Sequence, residues 1–461
     1  MSLSPTAVLA NIWQMGGLPA EAMAFATLTG EDPVFPSSFA VGTAAQTGIA
    51  AAALAACELG HARGLPRQSL AVDMAHAAVE CTNWFSLDGR VPEVWDKFSG
   101  LYTCRDGFVR IHANFLHHRE GALRVMGLDP ATATREQAGA CMANWQALAF
   151  EEAAAQAGLV VAAVRTFDEW DAHPQGQAIA AQPLMYFEKI GEAPPLQLPA
   201  VQAGEAPLAH LRVLDLTRIL AGPVCGRALA AYGADVLLVN SPKLPNIEAI
   251  ADTSRGKLSC HVDLRTAAGQ AALDALVAQA HVFVQGYRPG ALASLGQGAA
   301  QLAAKRPGIV CVSLSAYGDR GPWATRRGFD SLVQTATGFN HAEMLASGGT
   351  APQPMPMQIL DCATGHLMAF ATSAALLKQQ REGGSWHVRL SLAQTAHWLR
   401  HLGRVNAGFA GHRPDRQPFL ETTASGFGEL TAVRHAAQLS QVPTRYRRPS
   451  SPPGTHPPVW P

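Results

Sequence analysis

Arg212-Val-Leu-Asp-Leu-Thr-Arg-Ile-Leu-Ala-Gly-Pro-Val-Cys-Gly-Arg-Ala-Leu-Ala-Ala-Tyr-Gly-Ala-Asp-Val-Leu-Leu-Val239 decides the fold class. Two short, almost uninterrupted apolar runs flank an Ala/Leu-rich segment that Pro223 opens and Gly233 closes. This is the signature of two buried strands joined by a helix over 223–232. The pattern then repeats. Strands are predicted at Arg212–Thr217, Asp235–Val239, Ser259–Leu264, His281–Gln285 and Gly308–Leu314, with further helices at 267–279 and 290–304. Strands alternating with helices require a parallel sheet covered on both faces. The fold class is therefore α/β, a Rossmann-like parallel sheet with covering helices, and ligands are expected beyond the carboxyl ends of its strands. Those ends are Thr217–Pro223, Gln285–Gly290 and Ser315–Gly318. Because no G-x-G-x-x-G follows the first strand, a dinucleotide is not supported.

Outward from this unit the pattern changes. Leu101–Cys104 and Phe108–His112 flank Arg105-Asp-Gly and predict a hairpin. With helices at 117–127 and 143–157, a strand at 159–164 and a helix near 167–173, they make a smaller α+β domain. The organisation expected is a helical lead-in over 1–95, the small domain over 96–190, a Pro/Ala/Gly-rich linker over 191–209 and the sheet domain over 210–345. A loop and long helix over 346–405 and a return segment over 406–461 complete it. The chain of 461 residues carries 35 basic and 35 acidic side chains, so no overall field recruits nucleic acid or an anionic membrane. Its eight cysteines have no C-x-x-C or metal-ligand spacing, which suggests reduced thiols, a cytoplasmic setting and no metal site. The apolar run Phe39–Cys57 holds Thr43, Gln46 and Thr47 and is mostly Ala, so it predicts a buried helix rather than a membrane span.

Met355-Pro-Met-Gln-Ile-Leu-Asp361-Cys-Ala-Thr-Gly365 puts one carboxylate at the start of a long apolar helix. Asp361 there is either a helix cap or an aimed nucleophile. Ala44-Ala-Gln-Thr-Gly48 opens a similar helix but has Ala44 where Asp361 stands. A purely structural element tolerates either residue, so the acid in one copy favours chemistry.

The chain resembles the class III CoA-transferases, the group that includes formyl-CoA and carnitine-CoA transferases and α-methylacyl-CoA racemases. The resemblance rests on Val213–Pro223, Tyr232–Val236, Gly256–Ser259, Gly286–Gly290, Leu314–Gly318 with Gly321-Pro-Trp323, Gly328-Phe-Asp330 and Asp361-x-x-x-Gly365, in family order. Residues 100–190 also resemble the family's small domain, normally found after the Asp helix. The chain therefore reads either as a permuted subunit or as a tandem fusion whose residues 1–195 are a truncated copy.

The resemblance implies transfer of coenzyme A from an acyl-CoA to a carboxylic acid through aspartyl anhydride and thioester intermediates. Asp361 would be the nucleophile, and Ile219, Leu220, Gly222, Lys257, Tyr287, Arg288, Tyr317 and Gly318 the CoA contacts. It implies no permanently bound cofactor, the CoA thioester being substrate, and a homodimer that is possibly interlocked. Ala346–Thr350 is a candidate Gly-rich flap, an ordinary loop being the alternative. Two departures affect the nucleotide contacts: Asn240-Ser-Pro replaces a charged pair, and Gly286 replaces Asn. The racemase branch of the family carries a His at Phe329, so transfer is favoured over α-proton exchange. His366, one turn from Asp361, is the nearest substitute. A non-catalytic acyl-CoA-binding subunit is the third reading.

Overall fold

The computed structural model describes residues 2–461. Its largest element is a seven-stranded sheet in the order Leu258–His261, Asp235–Asn240, Arg212–Leu216, Val282–Gln285, Val310–Ser315, Ser385–Ser391, Tyr186–Gly191. Six strands are parallel; the last pairs antiparallel with Ser385–Ser391. The strand order reverses between Arg212–Leu216 and Val282–Gln285, where loops leave in opposite directions and open a crevice.

All five strand expectations in this domain fall on strands of this sheet. Ser385–Ser391 and the antiparallel edge Tyr186–Gly191 had no counterpart in the sequence reading. The latter's side chains alternate weakly between inside and outside, so it carries little period-two signal. The helix expected over 290–304 is broken into Ala293–Leu295 and Ala299–Lys305, because Gly296 adopts a left-handed φ of 73°.

Gly100–Thr103, Phe108–Ile111 and Val161–Ala163 form an antiparallel sheet backed by Leu116–Val125, Arg135–Met142 and Ala147–Gln156. The helix expected over 143–157 is Ala147–Gln156, and a further helix, Arg135–Met142, precedes it with a capping box on Thr134. This small unit has its own apolar core around Val109, Ile111, Leu123 and Phe150. Residues 192–209 contain no strand or helix. Their first residues meet the end of the Asp361 helix, where Gly384 N–H donates to Ala193 O at 2.7 Å, and the later ones bind Arg63, whose guanidinium donates to Pro199 O at 2.9 Å and Pro207 O at 3.0 Å.

The two long helices, Val41–Ala62 and Ile359–Glu382, pack against each other through small residues. A Cβ on Gly48 would lie 3.5 Å from the His366 Cβ and 3.8 Å from Ala363 O. Ile359–Glu382 is long and apolar enough to cross a membrane by composition, yet its apolar window is buried within the protein. The chain's two ends are interleaved. Phe85–Leu87 pairs with Gly428–Val433, and Gln438–Leu439 pairs with Leu70–Asp73. The last residues return to the large sheet, with His456 N–H donating to Ser259 O at 2.8 Å and Trp460 Nε1 to Leu276 O at 3.0 Å.

Candidate active site

Asp361 occupies the first turn of Ile359–Glu382, and the residue before that helix, Gln358, makes no side-chain cap. The cap arrives from elsewhere. Asp330, opening the helix Asp330–Ala336, accepts the Asp361 N–H through Oδ2 at 2.8 Å and also bonds the Leu360 N–H. Gln334 Nε2 donates to its Oδ1 at 2.5 Å. With the helix start satisfied by Asp330, the Asp361 carboxylate is released from capping and accepts the N–H of Ala221, at the start of a second helix, Ala221–Ala231. Two helix N-termini thus converge on one carboxylate. Their approach requires Gly365, where a Cβ would sit 2.5 Å from Ala221 O.

The two carboxyl groups are buried together, Asp330 fully and Asp361 with 8% of its surface exposed. Burial raises Asp330 from 3.8 to about 7 despite its N–H donors and nearby Arg110. Burial and the charge of Asp330 raise Asp361 well above the ordinary carboxylate range, and no cation acts on it. Near neutral pH the pair shares a proton. Asp330 receives three N–H bonds and Asp361 one, so the proton resides chiefly on Asp361.

Beside this pair, three contiguous recesses of about 240, 360 and 260 Å³ follow the carboxyl ends of the strands and share Tyr287. The middle recess is walled by Ile219, Arg218, Tyr287, Arg288, Arg326, Arg327 and Phe329 from the sheet domain and by Phe115, His117 and His118 from the small domain. Its lining contains four guanidinium groups and no carboxylate. Ile219 holds a left-handed φ of 77°, a strained conformation for a β-branched residue, two positions before Ala221. Asp361 does not itself line the recess. Ile219 and Phe329, which do, are the close sequence neighbours of the two groups that touch it.

The residues expected to contact CoA are dispersed. Ile219, Tyr287 and Arg288 line the middle recess and Gly318 the first. Leu220 precedes the Ala221 helix and is 9% exposed; Gly222 is packed on Thr217, leaving no room for a Cβ. Lys257 and Tyr317 depart from the expectation. Lys257 is buried, its Nζ donating to Asp215 Oδ2 and Pro223 O, both at 2.8 Å, so its charge is spent inside the fold under the Ala221 helix. Tyr317 is buried against Trp323 at a ring separation of 5.0 Å. Ala346–Thr350 is exposed and carries the left-handed turn that closes Phe339–Ser347, with Gly348 at φ 71°. It is a helix end and lines none of the three recesses.

His366 faces away from Asp361, stacked 5.9 Å from His435, and burial lowers it to about 3. With Cys81 and Cys362 it forms a buried trio whose donor atoms lie within 4.8 Å of one another. Three donors fall short of the four a structural zinc takes, and burial pushes the Cys81 thiol up, away from the thiolate that metal ligation needs.

The sequence reading missed the small-domain histidines. His112 stacks on Phe329 with ring centroids 4.0 Å apart, and His118 lies 6.3 Å from the same ring. The signal was present as three histidines in Ile111-His-Ala-Asn-Phe-Leu-His-His118, following the hairpin.

Residues 208–423 match the model of CoA-transferase family III. An acyl-CoA transferase of Gibberella moniliformis is 32% identical over 260 residues, which is 54% of this chain and 46% of the relative. The probable fatty acyl-CoA transferase Rv3272 of Mycobacterium tuberculosis is 33% identical over 46% of this chain and 57% of its own. The succinate–glutarate CoA-transferase of Agrobacterium fabrum is 32% identical over the same shares, 46% and 57%. The chain therefore spans about half the length of these relatives. A crystal structure of Rv3272 covers 43% of this chain and 58% of that one at 32% identity, with a TM-score of 0.40.

Proposed function

We propose that this chain, whose residues 208–423 match the model of CoA-transferase family III, moves coenzyme A from an acyl-CoA to a carboxylic acid with Asp361 as nucleophile. The observation that carries this reading is a buried carboxylate relieved of capping by Asp330 and held at two converging helix starts.

The Asp361 carboxylate, once ionised, adds to the acyl carbonyl. The C–S bond breaks, CoA leaves as thiolate, and a mixed anhydride remains. The thiolate then attacks the Asp361 carbonyl, expels the donor acid as carboxylate and leaves an aspartyl-CoA thioester. The acceptor carboxylate reverses the sequence: it displaces the thiolate to give a second anhydride, and the thiolate attacks its acyl carbon, restoring Asp361 and releasing the new acyl-CoA. Over the full cycle one thioester is consumed and one is formed, and every charge that leaves one atom appears on another.

Three features support the assignment. The Ala221 N–H orients the attacking oxygen. The four guanidinium groups of the middle recess suit the phosphates of CoA. The aromatic contact of Phe329 with His112 and Phe115 covers the dyad against water, which would hydrolyse both intermediates. Stacking on Phe329 also brings the two domains together over the site, so substrate must pass between them. Donor exchange between acyl-CoAs and a panel of acids tests the reading. Wild-type protein exchanges, Asp361→Ala does not, and mass spectrometry of protein plus acyl-CoA finds a CoA adduct on the Asp361 peptide. Exchange that survives Asp361→Ala refutes it.

Proton exchange at the α-carbon is the weaker reading. The imidazoles beside Phe329, His112 and His118, are both pushed down to about 3 by burial and neighbouring positive groups, which makes them poor bases.

A further inference from the structure

Arg110 lies on the strand Phe108–Ile111, whose alternate side chains Val109 and Ile111 fill the small unit's own core. Arg110 therefore takes the opposite face. Its register partner Ala162 belongs to the core of the large domain, so Arg110 stands at the joint between the two domains. It is 8% exposed and its side chain makes no hydrogen bond or ion pair among the described residues, yet its nitrogens are not sealed from solvent. A guanidinium buried without a partner is destabilising, because its donors give up water and receive nothing. Neither neighbour satisfies it. Trp95 offers a ring face, 5.6 Å from the Arg110 Cζ, and no acceptor. Asp330 is the acid whose charge it feels, but Asp330 is held by the Asp361 and Leu360 N–H groups and by Gln334.

A fourth recess, of about 230 Å³, shares no residue with the three along the sheet. It is lined by Val91, Pro92 and Val94, in the loop that Trp95 continues, and by Pro356, in the segment that leads into Asp361. Two arginines, Arg413 and Arg416, and no carboxylate belong to its wall. We propose that Arg110, backed by Trp95, binds the carboxylate of the free acid, which enters and leaves by this fourth recess while CoA occupies the other three. The inference rests on the transferase reading and adds to it a residue that recognises the acid and a second entrance. The cycle itself demands such a route. At the aspartyl-CoA stage the CoA arm is tied to Asp361 and fills its own channel, so the donor acid must depart and the acceptor arrive another way. The planar fork of an arginine matches a carboxylate, and a site between the domains keeps the pair from water.

The test reads the half-reactions separately. Full-length protein is loaded from acetyl-, butyryl- or succinyl-CoA, and the CoA adduct on the Asp361 peptide is followed by mass spectrometry as acetate, succinate or benzoate is added. The best donor and the acid that discharges wild type fastest are kept throughout. Arg110→Gln should load with half-saturation by the acyl-CoA within about twofold of wild type, while the acid concentration for half-maximal discharge rises by about tenfold or more. Arg110→Lys, which keeps the charge without the fork, should lie between. Because Arg110→Gln removes an unpaired buried charge, its Tm should not fall; if it fails to fold, Arg110→Met and Arg110→Lys carry the comparison. Discharge at an unchanged acid concentration, or an equal rise for acid and acyl-CoA, overturns the role of Arg110 alone. Absence of an adduct on wild-type protein with every donor overturns it together with the transferase reading.

Discussion

Replacing Asp330 by Asn tests whether the two carboxyl groups act as a dyad. The Asp361 N–H bond to Asp330 Oδ2, 2.8 Å long, holds the groups in adjacent positions. Two charges about 5 Å apart interact by about 3 kcal/mol at an effective dielectric constant of about 20. At about 1.4 kcal/mol per pH unit, removing one of them lowers the ionisation of Asp361 by about two pH units. The amide oxygen still accepts helix-start N–H groups, so most of the cap persists. The assay is kcat/KM for CoA exchange from pH 5 to 9. The wild-type rate rises with pH as Asp361 ionises, and the rising limb of Asp330→Asn should lie about two pH units lower. Stability moves with it. A carboxyl raised in the folded state contributes stability that is fully present below its unfolded value of 3.8 and is lost as pH rises through its folded value. For Asp330 that window runs from 3.8 to about 7 and corresponds to about 4 kcal/mol. The variant should therefore melt higher than wild type at pH 8 and show little difference at pH 4. An unmoved rising limb, or a drop in Tm that is the same at both pH values, would refute the dyad.

Asp361→Asn should abolish exchange, by at least about a thousandfold for loss of a covalent nucleophile, while raising Tm at pH 8; a lower Tm would mean the carboxylate is structural. Lys257→Met should destabilise by about 3–5 kcal/mol, because it leaves Asp215 buried without its cation. Urea denaturation measures that loss, and the KM for acyl-CoA of the folded fraction should stay within twofold, since Lys257 lies outside the recesses. Gly365→Ala places a Cβ 2.5 Å from Ala221 O; thermal denaturation should show a cost of about 1–3 kcal/mol, and exchange should fall further than stability does because the two helix starts are forced apart. Glu80→Ala should cost about 3–5 kcal/mol by the same measurement, since its carboxylate accepts His435 Nδ1 at 2.9 Å and Ala436 N–H at 2.7 Å in the buried joint between the chain's two ends.

The sheet was legible because its strands are buried on both faces. Runs such as Val236–Val239 and Val310–Val312 have no polar alternative to the core, so local sequence settles them. Tyr186–Gly191 was not legible. An edge strand needs few apolar contacts, and its partner Ser385–Ser391 lies almost 200 residues away. Asp361 was identified by its placement before an apolar helix and by its contrast with Ala44. Whether that acid was a cap or a reactive group could not be read locally, because the answer depends on Asp330, 31 residues earlier, taking over the cap.

Lys257 shows the limit in the other direction. The family resemblance places this lysine among the CoA contacts, and only the packing of the Ala221 helix against Asp215 shows it to be a buried structural charge. His112 and His118 belong to a domain more than 200 residues from Asp361, and no periodicity links them to Phe329. Sequence alone therefore determined the parallel sheet, the strands of its βαβ run and the carboxylate that opens the long apolar helix, since each follows from burial and spacing along the chain. The protonation of that carboxylate, the cations and imidazoles facing it, and the role of each charged side chain were decided by tertiary structure. Desolvation and Coulomb interaction depend on which groups meet in space.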